Sequence, residues 1–123
     1  MKRRFALSVL ACTTLPLLAQ APPSVTGTWS TQTEVQGIAV NETCDLQQTG
    51  ADLTGTCDTP GGKFKLTGKV NGMDVNFTHP AAYQQQEMTV SFFGKLDAPG
   101  SITGSIDMQP INAGGAFAMK KIK

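Results

Sequence analysis

The chain has 123 residues, 40% of them hydrophobic and 15% charged, with 13 glycines, three cysteines and a single histidine. That length holds one hydrophobic core and not two. Three of the ten basic residues (Lys2, Arg3, Arg4) fall in an expected leader, so residues 22–123 carry seven lysines, no arginine and nine acids, a net charge of −2. This balance argues against nucleic-acid binding, where clustered Arg and Lys neutralise phosphates and read base edges.

Residues Met1 to Arg4 form a positive start, Phe5 to Leu18 an apolar stretch, and Ala19-Gln20-Ala21 a small-x-small cleavage site. This pattern predicts a signal peptide over 1–21, cut after Ala21, followed by one domain over 22–123. The apolar stretch is too short for a membrane span, and Pro16 interrupts it. A lipoprotein signal ending at Cys12 is the alternative, disfavoured because the apolar run continues past that cysteine. A secreted or periplasmic location follows, and with it an oxidising environment for the two remaining cysteines, Cys44 and Cys57. Between them, Gly50-Ala51 suits a two-residue type II′ hairpin turn. That turn places Cys44 opposite Cys57 in a closely approaching cross-strand pair, so a structural disulfide is expected.

Further on, Asn71-Gly72 is a type I′ signal, which sets Val70 opposite Met73, Gly68 opposite Val75, Leu66 opposite Phe77 and Lys69 opposite Asp74. Met88, Val90, Phe92, Gly94 and Leu96 alternate with polar residues, as do Ile102, Gly104, Ile106 and Met108. The periodicity predicts strands at about 25–33, 37–48, 52–58, 63–70, 73–79, 87–97, 101–108 and 115–122, with no helix after residue 24. An apolar-Thr-Gly motif recurs at Val25 to Gly27, Leu53 to Gly55, Leu66 to Gly68 and Ile102 to Gly104. Its glycine shares the inner face, which implies curvature or room for a ligand.

Consecutive antiparallel strands with short connections predict an all-β fold, an eight-stranded up-and-down barrel rather than a sandwich. An outer-membrane barrel is excluded by the outer positions, which include Asp45, Gln47, Thr54, Lys63, Lys65, Lys69 and Lys95 where lipid would require apolar residues. Alternate connections of a meander share an end. Tight turns at 50–51, 71–72 and 98–100 are expected at one end, and longer loops at 33–37, 59–62, 79–86 and 109–114 at the other.

Gly27-Thr28-Trp29 resembles the Gly-x-Trp start of the calycin-like barrels, the lipocalins and avidins. Leu53 to Cys57 and Leu66 to Gly68 are similar to the second hairpin region of avidins. The resemblance implies a barrel whose open mouth holds a small ligand. It does not extend to biotin: Thr31 stands where avidins place a ligand-bonding Asn, Trp29 is the only Trp, and Gly114 to Ala116 replace the acidic residue expected before Phe117.

The candidate ligand residues at the open end and along the lining are Trp29, Glu42, Phe64, Phe77, His79, Tyr83 and Phe92, within an apolar inner face that also includes Ile38, Val40 and Met73. His79 is read as a solvated loop residue before Pro80. Glu42 points inward if its strand stays in register with Cys44, and is read as a bulge or a mouth position or, if buried, as a polar anchor. Trp29 is read chiefly as a core residue. No catalytic residues, metal or cofactor are expected, because neither a zinc set nor a Ser-His-Asp triad assembles from these motifs. The function expected is non-enzymatic binding of a small apolar molecule. The alternative is a side-chain-filled barrel that engages a protein, as some small peptidase inhibitors do, with Ala21 to Ser24 as an arm.

Overall fold

The computed structural model describes residues 24–123, and the expected export signal lies outside the described residues. Eight strands follow one another: β1 (Gly27–Val35), β2 (Ile38–Thr49), β3 (Asp52–Thr59), β4 (Gly62–Asn71), β5 (Asp74–Tyr83), β6 (Gln86–Ala98), β7 (Ser101–Gln109) and β8 (Ala113–Lys121). Each pairs antiparallel with its neighbours, and β8 pairs back onto β1 from Trp29↔Lys121 to Val35↔Gly115, closing the barrel. Closure pairs every strand on both sides and removes the long edges of an open sheet. No helix occurs among the described residues, so none is long and apolar enough to cross a membrane.

The Gly50-Ala51 turn forms as expected, with Gly50 at φ 63°. It sets Thr49 against Asp52, Leu46 against Gly55 and Cys44 against Cys57. The two cysteines form a disulfide with their Cα atoms 4.0 Å apart. In the chain-entropy account, closing this short loop stabilises the fold by about 3 kcal/mol.

The next hairpin corrects the sequence expectation. Its turn is Gly72-Met73, so Val70 faces Val75, Gly68 faces Phe77 and Asn71 faces Asp74. The register is displaced by two residues, which preserves the faces but exchanges the partners. Packing explains the choice: a Cβ on Gly68 would collide with the backbone oxygen of Asn76 and with Phe77, so this glycine lets Phe77 lie close against β4. Met73 consequently sits in the turn, 49% exposed, and not in the lining. Lys69 pairs with Asp52, and Asp74 pairs with Lys95. Gly55 repeats the close approach, its missing Cβ making room for the backbone of Asp45.

The expectation of long loops at one end is also overturned. Connections at 36–37, 60–61 and 84–85 have two residues each and that at 110–112 has three, while 50–51, 72–73 and 99–100 at the opposite end have two each. The 79–86 stretch is mostly strand: β5 and β6 continue to Tyr83↔Gln86 around a Gln84-Gln85 turn. Pro80 is tolerated because β4 pairs with β5 only as far as Thr67↔Thr78. Beyond that pair β5 is a local edge, where a missing N–H costs no ladder bond. The β6–β7 ladder likewise stops at Thr89↔Gln109, so the β5–β6 hairpin projects past both neighbours.

The core fills the other end. Val25, Trp29, Leu53, Val75 and Ile102 are almost wholly buried. The Trp29 indole Nε1–H donates to Val25 O at 2.9 Å, and the Val25 N–H donates to Gln48 Oε1 at 2.9 Å. Val25 thus stoppers this end, and the C-terminus is tied beside it by Thr28 N–H to Lys123 O at 3.1 Å.

Candidate functional site

Odd positions of β5 face inward, which carries Val75, Phe77, His79 and Ala81 up the barrel wall in turn. Phe77 and Phe92 stack with ring centroids 4.4 Å apart, and Phe117 meets Phe92 edge-on at 5.0 Å. This aromatic block, with Trp29 below it, fills the lower and middle barrel. Trp29, Phe77 and Phe92 of the sequence candidates are therefore core residues, each no more than 2% exposed.

Above the block the interior becomes polar. His79 is 2% exposed, which corrects the reading of a solvated loop histidine; its ring lies between Phe64 (6.0 Å, 7° interplanar) and Phe92 (5.4 Å). Its Nε2 meets Glu42 Oε1 at 3.3 Å, and its Nδ1 lies 2.7 Å from Pro80 O. Glu42 points inward with its side chain 8% exposed, as register with Cys44 requires. Both partners of the imidazole are acceptors, so only the doubly protonated ring donates to both. Burial pulls the His79 pKa down, but the Glu42 hydrogen bond, the Pro80 carbonyl and the Glu42 charge together hold it above the ordinary imidazole value.

Thr31 stands directly opposite Glu42 across the β1–β2 ladder. It is completely buried, and its Oγ1 has no hydrogen-bond partner among the described residues. In the sequence Thr31 stands out only as a departure from the avidin pattern. Its inward phase with Trp29 was the available signal. Glu42, Cys57 and His79 bring one ligand-type atom each within 4.8 Å of one another. Cys57 is tied to Cys44, however, and a disulfide sulfur offers no thiolate to a metal. Nor does a Thr-His-Glu relay form, since both ring nitrogens of His79 are already engaged by oxygen acceptors.

A cleft of about 580 Å³ opens beneath the projecting hairpin, where β4 and β5 splay. It is lined by Phe64 of β4, Pro80, Ala81 and Ala82 of β5, Glu87, Met88 and Thr89 of β6, and Gln109 and Pro110 at the end of β7. Phe64 links cleft and interior: one side of its ring lines the cleft and the ring stacks over His79. Of the sequence candidates whose side chains are described, Phe64 reaches the cleft. Tyr83 ends β5 opposite Gln86. Ile38, expected in the lining, is 63% exposed beside the 36–37 turn. The remaining lining residues were missed because Pro80 reads as a strand breaker, although the apolar phase of Phe77 continues through Ala81.

No protein-family model and no curated protein sequence matches this chain. Solved structures similar to it include a redesigned beta barrel, b11L5F_LGL, with a TM-score of 0.63 and 15% identity over 80% of this chain and 92% of that one. Two further redesigned beta barrels, mFAP0 and mFAP1, both bound to DFHBI, give TM-scores of 0.55 and 0.56. Their identities are 16% and 14%, over 79% of this chain and 98% and 94% of theirs. The likeness is one of architecture: this chain folds as a closed, eight-stranded, all-antiparallel barrel.

Proposed function

We propose that this protein is an exported, non-enzymatic, calycin-like barrel that binds a small apolar molecule at its mouth. The observation that carries this reading is the cleft of about 580 Å³ under the β5–β6 hairpin, walled by Phe64, Pro80, Ala81, Met88 and Pro110. Its volume is in the range of small-molecule sites, which are mostly apolar with a few placed polar groups. The ligand rests against this upper cleft, because Trp29, Phe77 and Phe92 fill the barrel below. Two barrels of similar fold, mFAP0 and mFAP1, are bound to the small molecule DFHBI, which supports a binding role for the architecture. The Cys44–Cys57 disulfide supports an oxidising, secreted or periplasmic setting.

Titration with the apolar fluorophore N-phenyl-1-naphthylamine tests the reading. The expected result is saturable, one-to-one enhancement that weakens at least about tenfold in Ala82→Trp, where an indole fills the cleft from an exposed position. Absent or non-saturable binding, or binding unchanged in Ala82→Trp, overturns it. Exposed Ile38 and Ile111 at the same end, 63% and 49% accessible, favour a second reading in which the rim contacts a protein. Photo-cross-linking from position 111 in the exported protein would then yield one discrete adduct, lost in Ile38→Asp.

A further inference from the structure

Resting on that ligand-binding reading, we infer that the Thr31–Glu42–His79 cluster is the head-group site for the ligand, and that the ligand is a small apolar amine whose ammonium docks on Glu42 beneath Phe64. Four observations converge on this assignment. Thr31 Oγ1 is a completely buried hydroxyl with no partner, directly across the ladder from Glu42. A buried polar atom left unpaired is costly, so such an atom marks a place where another polar group belongs. The His79 contact engages Oε1 of Glu42 alone. Thr31 and Glu42 therefore offer acceptors to one incoming donor, and an ammonium brings three N–H groups.

Charge points the same way. The groups around the pair are Thr31 of β1, Phe64 of β4, Phe92 of β6 and the disulfide sulfur of Cys57, none of them charged. Among the described residues lining the cleft above, one is ionisable, Glu87, and none is a lysine. A carboxylate at the floor and another at the wall favour a cation over an anion. Glu42's single charge is balanced by one cation at a time, imidazolium or ammonium, so the amine takes over the role of the His79 proton. Phe64 covers the route. Its half-buried ring lines the cleft and stacks with the imidazole at 6.0 Å, which offers an aromatic face to the apolar body and the ammonium.

The experiment compares three probes of one shape on the intact, disulfide-bonded protein: 1-naphthylmethylamine, 1-naphthylmethanol and 1-naphthoate. The expected order is amine, then alcohol, then carboxylate, with the amine about tenfold or more ahead of the alcohol, as a charge-assisted hydrogen bond provides. In Glu42→Gln the amine-to-alcohol ratio falls towards one. His79 is the only histidine, so its ring resonances report this site without ambiguity. At pH 6, below the raised His79 pKa, the amine shifts them towards the neutral-ring positions and the alcohol does not, a readout in the wild-type protein that stands even if Glu42→Gln fails to fold. Equal affinities, a preference for the carboxylate, or His79 resonances unmoved by the amine overturn the amine site while leaving apolar binding intact. Silence from all three probes overturns both readings.

Discussion

The two ends of this barrel solve the same turning problem with different residues. At the stoppered end the left-handed backbone positions are taken by Gly50, Gly72 and Gly100. At the mouth Gly37 takes one of them, and the others fall to Gln36, Gln84, Gln85 and Asn112, with φ between 51° and 67°. A non-glycine residue there costs roughly 1–2 kcal/mol, more for Gln than for Asn. The interiors diverge in parallel. The stoppered end buries Trp29, Val25 and Ile102 with the indole N–H satisfied, whereas the mouth buries His79, Glu42 and an unpartnered Thr31 hydroxyl. Strain and buried polarity collect where a rigid scaffold keeps its site, and the opposite end provides the stability to hold them.

Three experiments break or sharpen this contrast. The largest effect is expected at the stopper: Trp29→Ala should lose about 3–5 kcal/mol of unfolding free energy, against about 1–2 kcal/mol for the half-buried Phe64→Ala. Urea denaturation measures both, and equal losses would mean that stability is not segregated along the barrel.

A second effect depends on pH. The His79 pKa is raised in the folded protein, so its contribution to stability is fully present below the unfolded value of about 6.5. That contribution is lost as pH rises through the folded value. Wild type should therefore exceed Glu42→Gln by more at pH 6 than at pH 9 in thermal unfolding. A gap independent of pH would show that the pair does not titrate in this way.

The smallest effect concerns the mouth turn: Gln85→Gly should stabilise by about 0.5–1 kcal/mol, because glycine accepts φ 67° without strain. The same exchange of a turn residue at the stoppered end, Gly50→Gln, should destabilise. Denaturation midpoints of the two variants give the comparison directly.

Much of the architecture was legible because period-two alternation and turn residues are local signals. The Gly50-Ala51 turn led directly to the Cys44–Cys57 pair, since a two-residue hairpin leaves only one register. Glu42 was legible as inward-facing from the same register. The Gly72-Met73 turn was not legible, because Asn71-Gly72 is the stronger local signal. Only the fit of Phe77 against Gly68 decides between registers two residues apart. The burial of His79 was hidden by Pro80, whose disruptive effect depends on whether a neighbouring strand needs its N–H. The ladder β4 would have supplied ends at Thr67↔Thr78.

The sequence by itself determined the strand count, the faces, the polar exterior and the disulfide, all consequences of alternation and of turns spanning a few residues. Tertiary structure alone decided where neighbouring ladders stop. It therefore decided that the β5–β6 hairpin projects, that a cleft opens at its base, and that His79 meets Glu42 and stacks with Phe64 while Thr31 lies across the ladder from Glu42. Ladder length depends on backbone contacts between strands distant in sequence, and no local pattern encodes them.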